Sequence, residues 1–155
     1  MTSTQKAPAP LPPEIARYLQ GVSSESKQFD FLIGHWTVAA SSFKEDGTVL
    51  RQYTARWDAQ YLNGGRMVMD DFRACTPDGR DISSFVTLRT WCEATRRWEL
   101  TGLSAFQPAL QAKWHGQWQN GEMLLDASGK DTHGTTVQTR IRFFDIERDR
   151  FAWES

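Results

Sequence analysis

Two adjacent carboxylates interrupt an apolar stretch and are candidates for acid–base chemistry. Asp70 and Asp71 lie within the run Met67-Val68-Met69-Asp70-Asp71-Phe72. Because consecutive strand residues face opposite sides of a sheet, one of the two is expected to point inward. Burial raises the pKa of a carboxyl group, as a general base requires. The alternative is an ion pair near the rim, and the candidate partners are Arg51, Arg73 and Arg89.

The three histidines show no metal-site spacing. His35 precedes Trp36, so the two side chains are expected on opposite faces of one strand. His115 lies on the polar face of a predicted strand, and His133 lies in a predicted turn. The sequence therefore predicts no metal site.

The cysteines and serines do not indicate nucleophilic catalysis. Cys75 and Cys92 match no zinc pattern and are expected to be free thiols. No Gly-x-Ser-x-Gly motif is present. The enzyme question is therefore left open.

Aromatic side chains are the most unusual part of the composition, with seven Trp and nine Phe. If the apolar strand faces point inward, a common set of side chains lines the interior. These predicted ligand-binding residues are Trp36, Tyr53, Trp57, Met69, Leu88, Trp98, Trp114 and Phe143, with Leu100 beside them. A barrel of eight to ten strands has room for one small ligand. The alternative is that these rings fill the interior as a packed core.

The elements that would hold these residues are strands. Runs with a period of two cover 35–43, 48–61, 66–74, 81–91, 97–105, 110–118, 122–127, 136–145 and 150–154. Short turns such as Asn120-Gly121 separate them. This pattern predicts an all-β, antiparallel up-and-down barrel over residues 28–155, with a β-sandwich as the alternative. Residues 1–27 are expected to form a flexible tail, a short helix and a linker.

Length and charge narrow the class of protein. The 155 residues fit one domain, and a net charge of −1 gives no reason to expect nucleic acid as a partner. No apolar run is long enough to span a bilayer, and the first residues lack the pattern of a signal peptide. The expected location is cytoplasmic, with no membrane partner.

The segment Phe29-Asp30-Phe31-Leu32-Ile33-Gly34-His35-Trp36-Thr37-Val38 resembles the opening of DUF1579, an uncharacterised calycin-like family. More distantly, it is similar to the Gly-x-Trp signature of lipocalins and the Leu-x-Gly-x-Trp opening of nitrobindin-like barrels. The resemblance implies a calycin-type barrel in which Gly34 bends the chain and Trp36 forms the floor. It also implies that Arg140 or Arg142 stacks on Trp36.

Haem is the cofactor that the nitrobindin-like resemblance implies. Those proteins hold the iron through a late, inward-facing histidine, and no histidine follows His133 here. No cofactor is therefore the preferred expectation, with haem as the alternative.

The last residues, Phe151-Ala152-Trp153-Glu154-Ser155, begin another strand. Either this strand closes the barrel against the first one, or a final hairpin is missing. One of the two is expected because an exposed aromatic edge strand promotes aggregation, and the second interpretation is preferred.

Three functions are consistent with these patterns. The first is a binding protein or carrier for a small, mostly apolar molecule. The second is a cofactor-independent isomerase, cyclase or hydrolase that acts inside the cavity. The third is a partner-binding domain, such as a homodimer formed through the sheet surface.

Overall fold

The computed structural model describes residues 9–105, 113–130 and 133–155 of the chain. Within these ranges nine strands form one antiparallel sheet, and each pairs with its neighbours in chain order. They are β1 (Gly34–Phe43), β2 (Val49–Leu62), β3 (Met67–Cys75), β4 (Asp81–Cys92), β5 (Arg97–Ser104), β6 (Trp114–Gln119), β7 (Glu122–Lys130), β8 (Thr136–Phe144) and β9 (Ala152–Glu154). The predicted all-β, up-and-down fold is confirmed, as one curled sheet rather than a two-sheet sandwich. Residues 110–112 of the predicted sixth run lie outside the described residues.

Alternation of side chains separates the two faces of the sheet. In β2, Ala55, Trp57 and Ala59 are buried, whereas Thr54 and Arg56 are exposed. The sheet curls around the buried face, so that inward residues from all parts of the chain share one core. We call this the inner face of a half-barrel.

A plug formed by the segment before β1 closes one end of the half-barrel. Phe29 and Leu32 are fully buried, and the ring of Phe29 packs edge-on against Trp98 at 4.7 Å between centroids. Gly34 then adopts a φ of +130°, a conformation that side-chain-bearing residues rarely reach. The predicted bend at this glycine is confirmed.

The helix α1 (Pro13–Leu19) lies at the rim and buries none of its residues. Its apolar side chains are accessible, with Ile15 44% and Leu19 68% exposed, so the predicted short helix does not cover the end of the barrel. Arg66 holds the helix by donating from Nη2 to the carbonyl of Tyr18 at 2.8 Å and by stacking on its ring. No helix in the described ranges is long and apolar enough to cross a bilayer. Residues 1–8, predicted as a flexible tail, lie outside the described residues.

The two outer strands of the described sheet, β1 and β9, do not pair with each other. A nine-strand meander leaves its first and last strands running in the same direction. Of the two interpretations of the last strand, the one in which it closes the barrel against the first strand is wrong, because the two do not pair. Aromatic side chains meet across the gap instead: Phe151 packs on Trp36 at 4.8 Å, and Trp153 packs on Trp57 at 6.1 Å between centroids.

Candidate functional site

The inner face encloses a cavity of about 320 Å³, which we call the interior cavity. Its described walls come from eight of the nine strands, β2 to β9, so the cavity depends on the curl of the sheet. Six aromatic rings make up much of the lining: Trp57, Phe72, Phe85, Trp114, Phe143 and Trp153. Aliphatic groups such as Leu100 and Ile141 fill the spaces between them. Among the described lining residues, Arg89 is the only charged one.

Gly102 keeps part of the interior cavity open. It faces inward opposite Thr87 on the neighbouring strand. A Cβ at this position would lie 2.7 Å from the carbonyl oxygen of Val86. Because β4 and β5 approach closely at this point, no side chain fits at position 102, and the wall of the interior cavity is recessed there.

A buried polar cluster of Asp70, Arg89 and Trp57 lies beside the interior cavity. Asp70 is fully buried, and Arg89 is 3% exposed. The indole Nε1 of Trp57 donates to Asp70 Oδ2 at 2.5 Å, and Arg89 Nη1 donates to Asp70 Oδ1. Both carboxylate oxygens therefore accept a hydrogen bond, and the two opposite charges neutralise each other.

Arg89 remains charged at neutral pH despite its burial. Desolvation disfavours the guanidinium ion and lowers the pKa of Arg89 to about 9. The contact with the Asp70 carboxylate favours the charged form. The guanidinium also lies over the ring of Phe29, with its carbon 5.0 Å from the centroid, where the negative face of the ring attracts a cation.

One donor of Arg89 lacks a hydrogen-bond partner. Its Nε is buried and unpaired among the residues that the structure describes. A buried, unsatisfied donor costs about 1–3 kcal/mol, and more for a charged group. The polar cluster is therefore neutral in charge, but one of its hydrogen-bond donors is unpaired. Arg89, which carries this donor, also lines the interior cavity.

The two candidate carboxylates are separated by the sheet. Asp70 is the inward one and pairs with Arg89, one of the three predicted partners. Asp71 lies on the outer face, where Arg73 donates from Nε to its Oδ2 at 2.9 Å. Because Asp70 is fully buried and Asp71 is on the outer face, and neither lines the interior cavity, neither carboxylate is placed to act as a base there.

The predicted ligand-binding residues that do face inward fall into three groups. Trp57, Leu100, Trp114 and Phe143 line the interior cavity. Trp98 is fully buried beneath it and donates from Nε1 to Gln28 Oε1 at 3.0 Å. The remaining inward residues, Trp36 and Tyr53, line the gap between β1 and β9.

Met69 and Leu88 do not face the interior, and the prediction that they do is wrong. They are directly opposite each other across β3 and β4. Their neighbours Asp70 and Arg89 occupy the inner face, so alternation places Met69 and Leu88 on the outer face. Because Met67, Val68 and Met69 are all apolar, the sequence there does not indicate which of them face the inner side of the sheet.

The expected stacking of Arg140 or Arg142 on Trp36 is also wrong. Both arginines lie on the outer face of β8, where Arg140 pairs with Asp126 and Arg142 pairs with Glu122. Trp36 instead donates from Nε1 to the carbonyl of Leu32 at 2.8 Å.

Sequence reasoning missed several residues of the interior cavity. Phe72 lies two residues after Asp70 and therefore on the same face, a relation that the period of two could have revealed. Phe85 and Thr87 share the face of Arg89 for the same reason. Trp153 is different, because its place depends on how the sheet curls.

Two larger spaces are less suited to holding a ligand. The gap between β1 and β9 measures about 820 Å³ and is lined in part by Ser41, Ser42 and Arg150 at the strand edges. A groove of about 730 Å³ separates α1 from the rim. Neither contains a buried, unpaired polar group among the described residues, unlike the interior cavity.

The histidines described by the structure lie away from the interior. His35 is exposed and lies 2.6 Å from Asp58 through Nδ1. His115 lies on the outer face, 2.9 Å from Glu99, and His133 is exposed before β8. In the described part of the chain, no three His, Cys, Asp or Glu side chains group in a way that could hold a metal ion. Cys75 and Cys92 are free thiols.

No protein-family model and no curated protein matches the chain.

Proposed function

We propose that the protein binds a small, mostly apolar molecule in the interior cavity. The observation that carries this proposal is the combination of an aromatic-lined space with one buried, incompletely paired guanidinium. Ligand sites are typically concave, largely apolar and equipped with a few polar groups that orient the ligand. The similarity of Phe29–Val38 to calycin-like openings supports the same function, because that group includes carriers of small apolar molecules.

The size of the interior cavity limits the ligand. A cavity of about 150 Å³ lined by apolar side chains accommodates benzene. The interior cavity, at about 320 Å³, is roughly twice as large. It therefore suits a molecule of about two fused rings or an equivalent chain.

Binding is favoured over catalysis by the state of Asp70. A general base must reach the proton that it removes from the substrate. Asp70 is fully buried, is absent from the described lining of the interior cavity and is held by Trp57 and Arg89. Haem ligation is not favoured either, because His35 and His115 lie outside the inner face.

An NMR titration with tetralin, a two-ring hydrocarbon, tests the proposal. We expect shifts of the Trp57 and Trp114 indole resonances and a dissociation constant below about 1 mM, which corresponds to about 4 kcal/mol. Ile141→Trp, which places a larger side chain in the lining, should weaken binding at least about ten-fold, or about 1.4 kcal/mol.

The matched control is Val137→Trp, on the same strand and the same face but outside the cavity lining. Its binding should equal that of the unmodified protein. Absence of tetralin binding, or equal loss in both variants, contradicts the proposal. Native mass spectrometry of protein purified from its host then reports any molecule carried from the cell.

A further inference from the structure

We infer that the natural ligand is an uncharged molecule with a hydrogen-bond acceptor, of the carbonyl or ether kind, that meets Arg89 at the closed end of the interior cavity. This inference rests on the proposed function and specifies the ligand class of the same site. Three properties of the Asp70–Arg89 pair support it.

The first property is the unpaired donor. Arg89 is 3% exposed, lines the interior cavity and has an Nε without a partner in the described residues. A purely hydrocarbon ligand would displace any solvent from the guanidinium and return no hydrogen bond. An acceptor that approaches the guanidinium from the interior cavity would give this incompletely paired side chain a further hydrogen bond, and hydrogen bonds to charged groups are among the stronger ones in proteins.

The second property is the charge balance. The carboxylate of Asp70 already contacts the guanidinium, with side chains 0% and 4% exposed. A ligand carboxylate would bring a third, uncompensated charge into a water-poor site. Removing an unpaired charge from water is costly. The pair therefore selects against an anion, although an arginine alone would attract one.

The third property is the position of the pair along the strand. Arg89 lies beside the Phe29 plug, and Phe85 lies four residues away on the same face, where it is partly exposed. Four strand residues span roughly 13 Å. The acceptor therefore lies deep, and the apolar body of the ligand extends toward Phe85.

Three two-ring compounds of matched shape test the inference by NMR titration. Tetralin has no acceptor, 1-tetralone carries one carbonyl, and tetralin-1-carboxylate carries a negative charge. We expect 1-tetralone to bind about ten-fold more tightly than tetralin, because the net free energy of a hydrogen bond to a charged group corresponds to at least that factor in the dissociation constant. The carboxylate should bind at least about ten-fold more weakly than 1-tetralone.

The outcomes separate the two proposals. If none of the compounds binds, the proposed function fails. If tetralin and 1-tetralone bind equally, or the carboxylate binds most tightly, the proposed function stands and this inference is overturned.

A variant test locates the effect at the buried pair. In Asp70→Leu/Arg89→Met both charges are replaced together, so that no unpaired charge remains. The ratio of tetralin to 1-tetralone dissociation constants should fall from about ten to about one. The matched control is Asp71→Leu/Arg73→Met, an ion pair on the outer face of β3, which should keep the ratio of the unmodified protein. If the first variant does not fold, the three-compound series still decides the inference.

Discussion

Replacing Arg89 with methionine leaves the carboxylate of Asp70 fully buried without its counter-ion. Asp70 is 0% exposed, and after the change only Trp57 Nε1 would still donate to it. Breaking a buried pair by removing one partner costs about 3–5 kcal/mol. Methionine retains much of the apolar stem of arginine, so the loss is mainly electrostatic.

This magnitude is large enough to measure by equilibrium unfolding. For a chain of this length, 1 kcal/mol shifts Tm by about 2–4 °C, so Arg89→Met should lower Tm by roughly 10 °C. Urea unfolding followed by circular dichroism gives the free energy of unfolding directly. Asp70→Leu/Arg89→Met should recover much of the loss, because a buried ion pair can often be replaced by apolar side chains at little cost.

Arg73→Met is the matched control, because Arg73 pairs with Asp71 on the solvent-facing side and is 42% exposed. Its effect should be small, as for surface ion pairs in general. If Arg89→Met costs less than about 1 kcal/mol, or no more than Arg73→Met, the Asp70–Arg89 pair does not behave as a buried one and the reasoning fails.

Three further predictions concern the core and the edge of the sheet. Phe29→Ala removes a fully buried ring and should cost about 3–5 kcal/mol in urea unfolding; a loss below 1 kcal/mol would show that Phe29 does not close the half-barrel. Arg142→Met should expose β9 amides to hydrogen exchange, because Arg142 joins Glu122 to Glu154 across β7, β8 and β9; unchanged protection contradicts this role. The hydrogen bond from Arg142 lowers the pKa of Glu122, so the pair stabilises the fold above the ordinary carboxyl pKa and this stabilisation is lost as the pH falls through the lowered pKa. In Arg142→Met, the free energy of unfolding should therefore fall less steeply as the pH is lowered. The same fall in the variant and the unmodified protein would refute the assignment.

Much of the fold was predictable because its signals are local. Period-two alternation with Asn-Gly and related turns predicts nine strands, and the sheet contains nine in the described ranges. The inner faces of β2 and β8 were also predictable, since polar residues mark the outer face clearly. Met69 and Leu88 were misplaced because apolar residues occupy both faces around them, so that alternation had no polar marker.

The sequence by itself determined that the chain forms an aromatic-rich antiparallel meander, because alternation and turn chemistry act between neighbouring residues. Only the tertiary structure decided that Asp70 rather than Asp71 faces inward, since strand pairing selects the phase of β3. It also decided that Arg89 is the partner and that a space remains beside it. Those facts depend on the curl of the sheet and on the close approach of β4 and β5 at Gly102, which bring together residues far apart along the chain.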